Sequence, residues 1–138
     1  MKKEVEIRIV GRQLRDGSWE EVVTECKGKY YKEDGIIYLF YEESDEAAGV
    51  CKTRITLRER GMHVNRQGGV TTTLLYDMGV KNTAVYHTPL GDLQIGTEAT
   101  HYIVAEKEDE LTVDLGYNLF LNGEEHQEAT LRINAKSL

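Results

Sequence analysis

The chain has 138 residues, with 24 Asp+Glu against 17 Lys+Arg and a net charge of -7. That length suits a single domain over residues 1–138 with one sizeable core. A hydrophobic content of 40% excludes a disordered chain and a membrane-embedded one, and the acidic excess argues against a nucleic-acid partner, which needs a basic stripe.

Val, Ile and Thr total 31 residues and Tyr adds 8, while Ala contributes only 7. β-branched and aromatic side chains fit a pleated surface, so the composition predicts strands. Near the N-terminus, Glu4, Val5, Glu6, Ile7, Arg8 and Ile9 alternate in character. Charge therefore interrupts the apolar run that a signal peptide requires. No stretch approaches the length of a membrane helix. Cys26 and Cys51 stand 25 residues apart. Two free thiols in a reducing cytoplasm are expected, with a disulfide between neighbouring strands as the alternative.

In chain order, the first run sets Val5, Ile7 and Ile9 against Glu4, Glu6 and Arg8. Asp16-Gly17 then signals a turn. A second run covers about 21–31, and Asp34-Gly35 follows it. The third, 36–42, is apolar on both faces. Residues 43–49 are expected to form a solvated loop, with one helical turn as the alternative. The fourth run, 51–59, sets Cys51, Thr53, Ile55 and Leu57 against Lys52, Arg54, Thr56 and Arg58. Shorter runs follow at 62–67, 70–77, 83–88, 93–98 and 101–107, with turn signals at Gly68-Gly69 and Gly91-Asp92. The strongest alternation comes next: Leu111, Val113, Leu115, Tyr117, Leu119 and Leu121 share one face. After Asn122-Gly123, Ala129, Leu131 and Ile133 alternate with Thr130, Arg132 and Asn134. Period 2 holds throughout, and Asp-Gly and Asn-Gly supply the positive φ that tight hairpins need.

Consecutive short strands form an antiparallel meander. Such a sheet leaves open edges unless it closes on itself. Closure predicts an all-β, up-and-down, lipocalin-like barrel of 8–10 strands. A two-sheet sandwich is the competing packing.

The order of several short motifs resembles a known family. Val64-Asn65-Arg66-Gln67-Gly68-Gly69 precedes Leu74-Leu75-Tyr76, then Tyr86-His87-Thr88-Pro89-Leu90-Gly91, then Gly116-Tyr117-Asn118-Leu119. Gln13 and Tyr41-Glu42 fit the same pattern. Together they resemble the YwiB-like bacterial family of unknown function, classed with calycin-like β-barrels, over about residues 3–134. The resemblance implies a small closed barrel in a bacterial cytoplasm and implies no activity.

Catalytic chemistry finds little support in the residues. Ser18, Ser44 and Ser137 occupy no nucleophile elbow. Cys51 shares a face with Ile55 and Leu57 and reads as an inert thiol. His63, His87, His101 and His126 lie on separate runs without zinc spacing, so no metal and no cofactor is predicted. Gly68-Gly69 precedes a strand rather than a helix and reads as a turn, not a phosphate loop. Most carboxylates, including Glu124 and Glu125, are solvated turn charges.

Arg66 stands out because alternation places it with Met62 and Val64 on the inward face. One reading is structural: an inward carboxylate or tyrosine pairs with it, or it snorkels at the rim. The other is a ligand anchor, since a guanidinium fork matches carboxylate or phosphate oxygens. Tyr86 and Thr88, on one strand face, and Tyr117 are the hydroxyls expected to assist it.

Three functions compete at this point. The leading one is a non-enzymatic cytoplasmic barrel binding a small anionic or amphipathic molecule. The second is a filled barrel acting as an interaction module. Its doubly apolar third run, with Leu39 and Tyr41 as outer residues, would be covered by a partner or in a homodimer. The third is an enzyme built on Arg66, Tyr86 and His87, although adjacent residues on a regular strand face opposite sides.

Overall fold

The computed structural model describes residues 1–45, 49–69, 71–88, 90–123 and 127–138, the side chains of 15, 45 and 88 excepted. Ten strands account for most of them: β1 (Glu4–Arg15), β2 (Ser18–Glu33), β3 (Ile36–Asp45), β4 (Gly49–Leu57) and β5 (Gly61–Gly68), then β6 (Thr72–Asp77), β7 (Lys81–Thr88), β8 (Gly91–Glu106), β9 (Glu110–Leu121) and β10 (Gln127–Ser137). They form one antiparallel sheet in the order β6-β5-β4-β3-β2-β1-β10-β9-β8-β7. Every sequential pair is adjacent except β6 and β7, which stand at the two ends of the list, and β1 pairs with β10. The sheet thus curls into a nearly closed up-and-down barrel.

The turn chemistry acts as expected. Asp16 and Gly17, Asp34 and Gly35, and Asn122 and Gly123 all take positive φ, between 50° and 78°. Paired positive φ values match the right-handed twist of the flanking strands. The first hairpin is longer than its alternation suggested, because pairing continues from Glu4↔Lys29 out to Arg15↔Ser18. Residues 43–45, expected in a loop, extend β3, where Glu43 pairs with Cys51 and Asp45 with Gly49. The centre of that predicted loop, 46–48, lies outside the described residues, as do 124–126 with Glu124, Glu125 and His126.

The runs 93–98 and 101–107 belong to one strand. A bulge between Ala99 and His101 joins them, leaving Thr100 as the extra residue opposite Tyr117 and Gly116. Below the bulge Tyr102 and Val104 sit opposite Leu115 and Val113; above it Thr97 and Ala99 sit opposite Leu119 and Tyr117. An inserted residue reverses the inside–outside phase, which is why one strand looks like two. Gly116 suits this spot, since a Cβ there would stand 3.2 Å from the His101 Cβ.

The core fills the barrel. Val5, Ile7, Leu39, Ile55, Met62, Leu111, Val113 and Ile133 are almost wholly excluded from solvent. Burying side chains of this size contributes about 1.5–3 kcal/mol each before chain entropy is charged against it. The lower end, which carries the β2–β3, β4–β5, β6–β7 and β8–β9 connections, is tied across. There the Tyr102 hydroxyl donates to the Arg58 carbonyl at 2.9 Å and the Tyr30 hydroxyl to Glu106 at 2.7 Å.

The barrel closes between β6 and β7 without a regular ladder. Isolated bridges Thr71↔His87 and Asp77↔Val80 mark the two ends of this seam. Between them side chains replace backbone partners. Thr72 Oγ1 donates to the Val85 carbonyl, while Asn82 Nδ2 and Thr97 Oγ1 both donate to the Leu75 carbonyl.

Candidate functional site

The interior divides into two halves. Along β9, Leu111 and Val113 are 0% exposed and Leu115 2%, but Tyr117 and Leu119 reach 9%. Along β1, Val5 and Ile7 are sealed, whereas Ile9 is not. Solvent access therefore rises toward the upper end, where the odd-to-even connections lie. The lower half is aliphatic. The upper half gathers polar groups: Arg66 from β5, Tyr41 from β3, Thr53 from β4, Tyr76 and Thr72 from β6, Tyr86 from β7 and Tyr117 from β9.

Strand register explains the placement of Arg66. It pairs with Thr53 on one side and Thr72 on the other, continuing the inward series of Met62 and Val64. Its Nη1 donates to the Tyr86 hydroxyl at 3.0 Å, across the seam. Its Nε is buried without a hydrogen-bond partner. Among the described residues, no carboxylate lies within 4 Å of the guanidinium. Burial disfavours the charge, but the fields of Tyr86, Tyr41 and the more distant Glu43 outweigh it and hold the Arg66 pKa up. The group stays cationic, as guanidinium does in proteins generally.

Arg66 and Tyr86 are thus in contact. Tyr117 belongs to the same polar half but is engaged with Tyr76, the rings 4.8 Å apart and edge-on. Thr88 ends β7 two residues beyond Tyr86, opposite Gly91, and its side chain lies outside the described part of the structure. His87 is exposed on the outer face, its Nδ1 2.9 Å from Asp92. It does not meet Arg66 and Tyr86 inside the barrel.

Tyr41, Tyr76, Thr53 and Thr72 were not assigned to this site from sequence. Tyr41 sits in the doubly apolar run, where alternation carries no phase. Tyr76 shares the Leu74 face and was readable as inward, but nothing local tied it to Arg66. The structure also reverses the assignment of outer residues on β3. Leu39 and Tyr41 point inward, opposite Ile55 and Thr53, and Tyr38 and Phe40 lie on the outer face. Cys26 and Cys51 are not joined in a disulfide; they lie on β2 and β4, with β3 between them. A bridge between neighbouring strands is therefore ruled out by topology. Burial, then Glu43, pushes the Cys26 thiol up, so it is a poor nucleophile.

The tyrosines make the fold sensitive to alkali. Burial pushes Tyr41 up to about 12, with Arg66 opposing, and burial likewise raises Tyr102 to about 12. Burial raises Tyr76, Tyr117 and Tyr30 as well. An unfolded tyrosine ionises near pH 10, so between about pH 10 and 12 the native state holds more protons. Stability is then full below pH 10 and falls as pH rises, by up to about 1.4 kcal/mol per pH unit for each of the deeply buried Tyr41, Tyr76 and Tyr117. Tyrosinate absorbance should appear together with loss of the far-ultraviolet circular dichroism. Gradual ionisation ahead of unfolding would contradict the burial.

Comparison with known proteins agrees with this architecture. The family described as "Domain of unknown function (DUF1934)" matches residues 7–133. The uncharacterised β-barrel protein YwiB of Bacillus subtilis (strain 168) is 26% identical over 128 residues, covering 91% of this chain and 89% of that protein. The crystal structure of the B. subtilis YwiB protein superposes with a TM-score of 0.88, covering 99% of this chain and 92% of that one at 20% identity, which is a likeness of fold. With all but its first six and last five residues inside the family's limits, the chain belongs to the DUF1934 family of β-barrel proteins, whose function is unknown.

Proposed function

We propose that this barrel binds a small anionic or amphipathic molecule among the polar groups of its upper half, with Arg66 as the anchor and Tyr86, Thr88 and Tyr117 beside it. The observation that carries the reading is the guanidinium itself. It sits inside the barrel wall bonded to the Tyr86 hydroxyl, with a buried Nε lacking a partner and, among the described residues, no carboxylate within 4 Å. Desolvating a cation without an anion costs several kcal/mol. A ligand carboxylate or phosphate would offset that cost by accepting the vacant Nε–H and a second guanidinium N–H as a bidentate pair.

The reading is of a binder rather than an enzyme, because His87, the histidine that the sequence groups with Arg66 and Tyr86, faces the outside. It is also of a cytoplasmic protein. The two unbridged cysteines suit a reducing compartment. No helix among the described residues is long and apolar enough to cross a membrane. The outer faces of β1 and β2 carry Glu4, Glu6, Arg8, Glu25, Lys27 and Lys29, unlike a lipid-facing band.

A second reading, association through the outer face of β2 and β3, has one specific support. Tyr31 and Phe40 are exposed there and meet edge-on at 5.7 Å. Native mass spectrometry of gently purified protein tests both readings at once. A retained adduct on the order of a few hundred daltons is the expected result. A clean dimer without an adduct favours the second reading. The amphipathic sulfonate probe anilinonaphthalene sulfonate gives a direct test of the anchor. It should bind the wild type, and Arg66→Gln should weaken it by about tenfold, or 1.4 kcal/mol, at unchanged circular dichroism. Equal binding by both proteins would overturn the anchor.

A further inference from the structure

The seam between β6 and β7 opens toward Arg66 from outside the barrel. A cleft of about 390 Å³ lies there, walled by β5, β6 and β7. Its lining mixes residues from both faces of the sheet. Arg66, Thr72 and Ala84 belong to the inward series, while Asn65, Gln67, Thr73, Val85 and His87 belong to the outward one. The cleft takes in residues of both faces where the two strands part. It exists because the backbones of this seam pair only at isolated bridges, so no continuous ladder fills the gap.

The chemistry of this lining is one-sided. Among the described residues, no acidic side chain lines the cleft. Arg66 supplies the fixed positive charge. Asn65 and Gln67, two residues apart on one face of β5, supply amide N–H groups. Thr73 supplies a hydroxyl from β6 and His87 an imidazole from β7. Asp92 holds Nδ1 of His87, which leaves Nε2 for a ligand. A planar carboxylate is saturated by one guanidinium fork and one hydroxyl. Donors arriving from three strands suit an anion with oxygens in three dimensions.

We infer that the seam cleft is a subsite for a phosphoryl group, reached from the side of the barrel, with Arg66 at its inner end. This rests on the anion-binding reading of Arg66 and specifies the anion. The inorganic ion and a phosphate monoester share the chemistry; the monoester would place its organic part beside Ala84 and Val85.

Calorimetric titration at constant ionic strength with inorganic phosphate, phenyl phosphate and benzoate tests it. Phenyl phosphate should bind at least fivefold tighter than benzoate. The double variant Asn65→Ala/Gln67→Ala should weaken phosphate binding at least fivefold and leave benzoate unchanged. Thr73→Ala, at an exposed position, repeats the test should the double variant fold poorly. Phenyl phosphate binding tighter than the inorganic ion identifies an ester as the ligand type, and equal affinity identifies the free ion; either supports the subsite. Benzoate binding as tightly as phenyl phosphate, with both lost only in Arg66→Gln, overturns the phosphoryl subsite and leaves the anchor standing. No binding of any anion, anilinonaphthalene sulfonate included, overturns both.

Discussion

Leu39→Ala should lower the unfolding free energy by about 2–5 kcal/mol, whereas Phe40→Ala, one residue along the same strand, should cost less than about 1 kcal/mol. Leu39 is completely buried. It lies opposite Tyr30 on β2 and Ile55 on β4, deep in the aliphatic half of the barrel. Removing its isobutyl group forfeits transfer free energy and leaves a cavity that surrounding strands, pinned by their ladders, cannot collapse into. Phe40 is on the other face, 37% exposed. Its loss removes an edge contact with Tyr31 and little burial. Urea unfolding followed by far-ultraviolet circular dichroism measures both. Similar losses for the two variants would mean that the outer face is covered as well. In that case the Phe40→Ala protein should also show an oligomeric state different from that of the wild type.

This pair of residues shows where the sequence was legible and where it was not. In β9 every second residue is apolar, so the inward face of Leu111 to Leu121 is readable from pattern alone. In β3 both faces are apolar, and period 2 then carries no phase. The phase is set by neighbours. Gly28 pairs with Tyr41, and a Cβ at Gly28 would stand 2.6 Å from Ile7 Cδ1 and 2.5 Å from the Phe40 carbonyl oxygen. The absence of that Cβ makes room beside Tyr41 on the inner face. Such a fit depends on three strands at once and has no local signature. The bulge at Thr100 was hidden for a related reason: a single extra residue reverses the phase without altering composition.

The candidate site was half legible. Alternation through Met62 and Val64 placed Arg66 inside correctly, and the same logic put Tyr86 on the inward face of its own strand. What no local pattern contains is their contact, because it crosses the one seam that lacks a regular ladder. Tyr41 and Tyr76 reach the polar half from β3 and β6, and their approach to Arg66 is a consequence of barrel closure. Asp-Gly and Asn-Gly turns, by contrast, are purely local, and all three formed as their sequences require.

Arg66→Met should separate a structural arginine from a functional one. Methionine keeps the unbranched stem and most of the volume of the side chain but needs no hydrogen bonds. If Arg66 serves stability, its removal breaks the bond to Tyr86 and should cost about 1–3 kcal/mol. If it is held ready for an anion, the empty barrel bears the desolvation of a cation whose Nε has no partner. Replacing it by an apolar side chain then removes that burden, and stability should rise by about 1–3 kcal/mol. Binding of anilinonaphthalene sulfonate should fall by about tenfold in the same protein. The second pattern is the expected one, since, among the described residues, the only carboxylate whose field reaches the group, Glu43, makes no direct pair with it. The two quantities move in opposite directions only for a binding residue. A variant that loses both stability and binding would assign Arg66 to the framework of the barrel.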